Sequence, residues 1–156
     1  MTSNENAEDL RGCLAPEEVV LDAMGAYEGL ARCAIMRSRG DGLSKTQTDI
    51  IIRLSFCGKS SMTSLADDLA VSKEHITRAV NALIERGLVE KHRSTENFRL
   101  VKASLTEEGT AMAHAIRMAS IERLNERLAK IPPEDREALL EASEQAQAII
   151  NKILTA

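Results

Sequence analysis

Aromatic residues are almost missing from this chain: there is no tryptophan, and Tyr27, Phe56 and Phe98 are the only aromatics in 156 residues. The apolar content is Leu, Ile, Ala, Val and Met, a mixture that favours helix packing over a β-sandwich or barrel. Cysteine is scarce as well. Cys13, Cys33 and Cys57 are odd in number, widely spaced and without a CxxC pair, which excludes a disulfide framework and fits a reducing compartment. No segment approaches the roughly 18 continuous apolar residues of a membrane span, so no membrane partner is expected. The N-terminus has no basic region leading into an apolar run, and the expected location is cytoplasmic. His75, His92 and His114 are scattered, with no HExxH spacing, so neither a metal nor another cofactor is expected. No nucleophile-base-orienter set appears, and Ser38–Gly42 lacks the Lys-Ser/Thr that follows a phosphate-cradling loop, so the chain does not read as an enzyme.

Basic residues are outnumbered, and the formal net charge is −4. Taken alone this argues against a nucleic-acid partner, because phosphate contacts need Lys and Arg. The distribution matters more than the sum. From Lys59 to Lys102 there are eight basic and six acidic residues, which leaves twelve basic and eighteen acidic elsewhere. Screening over roughly 8 Å at physiological salt makes a surface ligand respond to the local balance of +2. The acidic flanks predict weak non-specific affinity.

What is present is helical periodicity, broken once. Met1 to Ala15 is polar, acidic and aperiodic, and reads as a mobile tail. A long helix begins at Pro16, with Glu17 and Glu18 at the positive end of its dipole, and is ended by Ser38 to Gly42. Val19, Val20, Ala23, Met24, Tyr27, Leu30, Ala31, Ala34 and Ile35 carry its apolar stripe. Ser44 and Gln47 are spaced as a capping box for the next helix, which runs through Ile50, Ile51 and Leu54 to a stop at Gly58. Two short helices follow, Met62 to Ala70 and Lys73 to Arg86, the second capped by Ser72 and stopped by Gly87. Leu88 to Arg93 and Arg99 to Leu105 alternate as two strands around a polar loop, a hairpin placed as a wing. Thr106 caps a long helix to Lys130, Pro132 and Pro133 break it, and a last helix carries Leu139, Leu140, Ala146, Ile149, Ile150, Ile153 and Leu154. The fold class is mainly α with a small β wing. Residues 43–105 form a winged helix-turn-helix, and 16–42 with 106–156 form a helical region whose apolar faces call for a second copy.

The Lys73–Arg86 helix concentrates the functional signal. Ile76, Ala79, Val80, Leu83 and Ile84 give it one buried face. Glu74, Thr77, Arg78, Asn81 and Glu85 stand on the other. A helix that shows hydrogen-bonding side chains to solvent, held from behind by a second helix, is built to enter a DNA major groove. Arg78 is the strongest base or phosphate candidate, since Arg pairs with guanine O6 and N7 together. The bland alternative is an ion pair with Glu74 or Glu85. Thr77 and Asn81 are base or phosphate candidates, and Glu74 suits a cytosine amine. Lys73, Ser61 and Thr63 suit phosphate, as do Arg93 and Lys91.

Several motifs occur in order: Leu43-Ser44-x-x-Gln47, Leu65-Ala66-x-x-Leu69-x-Val71-Ser72, Ile76-Thr77-Arg78-x-Val80-Asn81-x-Leu83-x-x-x-Gly87-Leu88-Val89, Asn97-Phe98-Arg99 and Leu105-Thr106-x-x-Gly109. Together they resemble the multiple-antibiotic-resistance-regulator (MarR) family of winged-helix transcription factors. The resemblance implies a homodimer with interlocked terminal helices that binds double-stranded DNA at a near-palindromic operator. It also implies wings in the minor groove, and repression relieved by a small-molecule effector or by cysteine oxidation. The family's wing usually carries Asp-x-Arg, whereas Asn97 and Phe98 here leave Arg99 with a neutral brace, weaker than a carboxylate.

Cys13, beside Arg11, is the redox candidate, and Cys33 and Cys57 read as small buried core residues. The effector's binding residues are not identified by the sequence. Met24, Met36, Met62, Met112 and Met118 could line an adaptable pocket, though Met more often fills core. Two rivals to a DNA-binding repressor follow: a winged-helix protein-interaction module, favoured by the acidic total, and a thiol-based redox-sensing regulator.

Overall fold

The computed structural model describes residues 15–34, 42–93 and 101–155. The expected tail, the end of the first helix with Ser38 to Asp41, and the wing loop with Asn97, Phe98 and Arg99 lie outside them, as does Cys13. The described elements are helix α1 (Pro16–Ala34), α2 (Lys45–Cys57), strand β1 (Lys59–Ser61), α3 (Met62–Asp68), α4 (Lys73–Glu85), β2 (Val89–Arg93), β3 (Val101–Leu105), α5 (Glu107–Leu128) and α6 (Pro133–Thr155).

Local chemistry sets most boundaries. Pro16 stands at the first position of α1, and the Ala15 N–H donates to the Glu18 carboxylate at 2.9 Å. The capping box of α2 is complete: the Gln47 N–H donates to the Ser44 hydroxyl, and the Ser44 N–H to Gln47 Oε1 at 2.8 Å. Ser61, Ser72 and Thr106 cap α3, α4 and α5 by the first of these bonds alone, each side-chain oxygen accepting from the backbone N–H three residues on. The α4 helix ends in a Schellman turn, with Gly87 at φ +71° and the Leu88 N–H reaching back to the Leu83 carbonyl at 2.9 Å. The α3 helix closes at Asp68, two residues short of the expected Ala70, through the same turn. The Val71 N–H donates to the Ala66 carbonyl and the Ala70 N–H to that of Asp67, with Ala70 itself at φ +51°.

The sheet has three strands, where the sequence predicts two. Its order is β1-β3-β2, all antiparallel, with Ser60 opposite Ala103 and Lys91 opposite Ala103 on the other side. Lys59, Ser60 and Ser61 show no apolar alternation, so nothing in their composition marks a strand. They become one because β3 offers an unpaired edge, and Ser60 is buried against it.

The core sits where α2, α3, α4 and the sheet meet. Ile50, Ile51 and Leu54 of α2, Leu65 of α3, and Ile76, Val80 and Leu83 of α4 are its fully buried members, closed by Leu88, Val89 and Ala103. From α5, Ala113 and Ile116 pack against this core, whereas Ala115 is exposed. Cys57 is exposed rather than buried, because it ends α2 where the chain leaves the core, and Cys33 is half-buried. The outer helices are different in kind: α1 buries only Ala34, and α6 buries none of its described side chains. A bond between the Tyr27 and Ser143 hydroxyls at 3.3 Å joins them.

Candidate nucleic-acid interface

Helix α4 is held in place by its apolar face and displays the other. Ile76, Val80 and Leu83 are buried; Lys73, Glu74, Arg78, Asn81 and Glu85 are exposed, and Thr77 is half-buried. An ion pair from Arg53 on α2 to Asp68 on α3, at 2.7 Å, ties the supporting helices together. The His75 ring, also on α4, meets the Thr46 hydroxyl on α2 at 3.0 Å.

The expected contact residues differ in what their side chains already do. Arg78 makes no ion pair among the described residues, with Glu74 and Glu85 or any other acid. The Thr77 hydroxyl donates to the Lys73 carbonyl at 2.8 Å, so its proton is spent within the helix and its oxygen remains an acceptor. Asn81 Oδ1 accepts from Lys91 Nζ on β2 at 2.6 Å. The Ser61 hydroxyl caps α3 by accepting from the Ser64 N–H, whereas Thr63 is exposed on that helix's first turn. Arg93 is exposed at the end of β2, where the described residues stop, and Arg99 lies outside them.

Strand alternation divides the wing into two faces. Val89, Lys91 and Arg93 share the face of buried Ala103, and Lys91 leaves the core's edge toward α4. Glu90, His92, Ser104 and Lys102 share the outer face. There His92 Nε2 lies 2.8 Å from the Ser104 hydroxyl and 3.2 Å from Glu90 Oε1. The residue types suggest an activated serine, but the geometry does not. The acid and the hydroxyl meet the same ring nitrogen, whereas activation needs the acid on the second nitrogen to orient the base. The cluster instead joins β2 to β3. Sequence reasoning did not single it out, although Glu90-x-His92 on one strand face was its visible signal.

A second feature missed from sequence is an apolar pocket of about 500 Å³ between α2, α5 and the end of α1. Ile52, Phe56, Ala113, Ile116 and Leu124 line it, with His114 and Arg117 as its charged or titratable members. Of the methionines offered for an adaptable pocket, Met36 lies outside the described residues and Met24, Met62, Met112 and Met118 do not line it; Met62 and Met112 instead pack against the core. Among the described residues no cluster of His, Cys, Asp or Glu is arranged to hold a metal, and no helix is long and apolar enough to cross a membrane.

A helix-turn-helix followed by a β-wing, with long helices on both sides, defines the winged-helix class of folds. Residues 43–101, which include the whole of α4, match the model of the MarR family. Over that segment the chain is similar to the MarR family of transcriptional regulators. Among its relatives is the HTH-type transcriptional regulator YpoP of Bacillus subtilis, 36% identical over 67 residues; that match spans 43% of this chain and 48% of YpoP. The fold is shared with wild-type MarR of E. coli in its apo form, at a TM-score of 0.63 and 20% identity, covering 85% of this chain and 96% of that one. It is also shared with Streptococcus pneumoniae FabT, solved in complex with DNA, at a TM-score of 0.59 and 14% identity, covering 88% and 96%.

Proposed function

We propose that this chain is a homodimeric regulator that binds a near-palindromic operator and represses transcription until a small ligand releases it. In this reading Glu74, Thr77, Arg78 and Asn81 face the major groove, and Lys73 meets a phosphate at the start of α4. Ser61 and Thr63 approach the phosphates, and Arg93 and Arg99 serve the wing. The observation that carries the reading is Arg78, an exposed guanidinium in the middle of α4 with no acidic partner among the described residues. An unpaired arginine on a rigid helix keeps its full fork of donors for a phosphate or a guanine. The FabT complex supports the reading by showing that this fold can engage DNA in another protein. The pocket beside Phe56 supports ligand release, because it lies between core helix α2 and the outer helices α1 and α5.

A gel shift with DNA from upstream of the chain's own gene, run at two salt concentrations, tests the proposal. Binding should weaken as salt rises, because neutralised phosphates release counterions. The Arg78→Ala dimer should bind at least about fivefold more weakly, about 1 kcal/mol, with an unchanged melting temperature. Wild-type affinity in that variant would overturn the assignment of α4 as the reading helix. Absence of salt-sensitive binding to any fragment would favour a protein-interaction module instead. Undiminished DNA binding after peroxide treatment would exclude a thiol-based sensor.

A further inference from the structure

The face of β2 that sends Val89 into the core also carries Lys91, whose Nζ donates to Asn81 Oδ1 at 2.6 Å. An ammonium has three donors and no acceptor, so the Asn81 atom facing it is the carbonyl oxygen and the NH₂ group is turned away. The contact therefore decides which edge of the amide the groove meets. An unconstrained asparagine offers an acceptor and a donor side by side, the pair that matches adenine N6 and N7. With its oxygen turned to Lys91, which occupies one of its two lone pairs, Asn81 presents its NH₂ donors as the edge left outward. These match guanine O6 and N7 or thymine O4, which are acceptors. The ammonium itself adds positive charge beside the same position, which also favours acceptor-bearing bases.

Resting on the DNA-binding reading above, we propose that Lys91 is a positioning residue for specificity. It orients Asn81 as a donor, so that α4 selects guanine or thymine over adenine at the base step Asn81 faces. A lysine that only touched phosphate would raise affinity for every sequence alike and would leave the preference at that step unchanged.

Site selection from a randomised duplex library tests this with the full-length wild type, Lys91→Met, Lys91→Arg, Asn81→Ala and the double variant Lys91→Met/Asn81→Ala. The wild type should prefer guanine or thymine about tenfold at one step per half-site. Asn81→Ala should lose that preference, and Lys91→Met should turn it toward adenine at the same step and nowhere else. Lys91→Arg, which keeps a donor on a stem of similar length, should retain it. The double variant should match Asn81→Ala alone, since Lys91 acts through the amide. A uniform loss in Lys91→Met, additive with Asn81→Ala and with the salt slope reduced by about one, would overturn the inference in favour of a phosphate contact. A wild type that prefers adenine at that step would also overturn it. A wild type that selects no sequence at all would overturn the DNA-binding reading itself, a result distinct from the other two.

Discussion

Ala70 occupies a backbone position at φ +51° that suits glycine, in the turn between α3 and α4. A side chain there costs about 1–2 kcal/mol, because Cβ crowds the neighbouring carbonyl. Replacing it by glycine restores about 0.4–1 kcal/mol of freedom to the unfolded chain, which opposes the gain. The first effect is the larger, so Ala70→Gly should stabilise the fold by roughly 0.5–1 kcal/mol and raise the thermal midpoint by a degree or more. A lowered midpoint would mean that Ala70 is not strained. The sequence around it reads as a helix through Ala70, because alanine is a strong helix former and nothing local marks the early stop. The stop comes from Val71, half-buried against the core, whose N–H closes the turn on Ala66.

Helix α5 docks on the end of α4 by an unusually close approach. The Thr106 hydroxyl donates to the Gly87 carbonyl at 2.7 Å and accepts from the Gly109 N–H at 3.0 Å, while the Thr106 N–H donates to the Leu88 carbonyl at 3.2 Å. A Cβ placed on Gly109 would stand 1.9 Å from the Leu88 carbonyl oxygen and 2.9 Å from its carbon. Those are backbone atoms, and they cannot swing aside as a flexible side chain would. Helix propensity alone favours alanine over glycine by about 1 kcal/mol. Overpacking of this kind costs about 1–3 kcal/mol, and here the clash is severe enough to win. Gly109→Ala should therefore lower the urea midpoint, with the slope of the transition unchanged. An alanine that raises the midpoint would refute the close approach. The motif Leu105-Thr106-x-x-Gly109 was visible in the sequence, and Thr106 as a cap followed from its chemistry. The reason for glycine did not, because Leu88 meets it only through space.

Across the whole molecule, the described chain leaves much of the apolar surface of α1 and α6 uncovered. Val20 and Leu21 on α1 are 60% and 69% exposed, and Ile149 and Ile153 on α6 are 57% and 69% exposed. Contiguous apolar surface of this kind is uncommon on a stable monomer. Since two-fold closure is the commonest way to cover such faces, sedimentation equilibrium should give twice the chain mass. Ile149→Asp with Ile153→Asp, one turn apart on α6, should shift the population to monomer and abolish binding to a two-fold operator. A monomeric wild type, or a dimer indifferent to both changes, would overturn the interface.

The amino-acid sequence alone determined the features that neighbours in the chain decide between themselves. The Ser44–Gln47 box, the caps at Ser72 and Thr106, the turn at Gly87 and the alternation of Val101 to Leu105 were all legible, because a cap, a turn or a pleat is settled within a few residues. That was enough to place α4 and to show which of its faces is polar. Tertiary structure decided the rest. It made a strand of Lys59 to Ser61 by offering them the edge of β3, left Cys57 outside the core, and opened a pocket beside Phe56. It also turned Asn81 by placing Lys91 against it. Each of these depends on a partner distant in sequence, so composition and period carry no signal for it. The exposed face of α4 was expected as a row of independent hydrogen-bonding side chains. In the folded protein Thr77 is bonded to its own helix and Asn81 to the wing, and Arg78 keeps all its donors for what it meets.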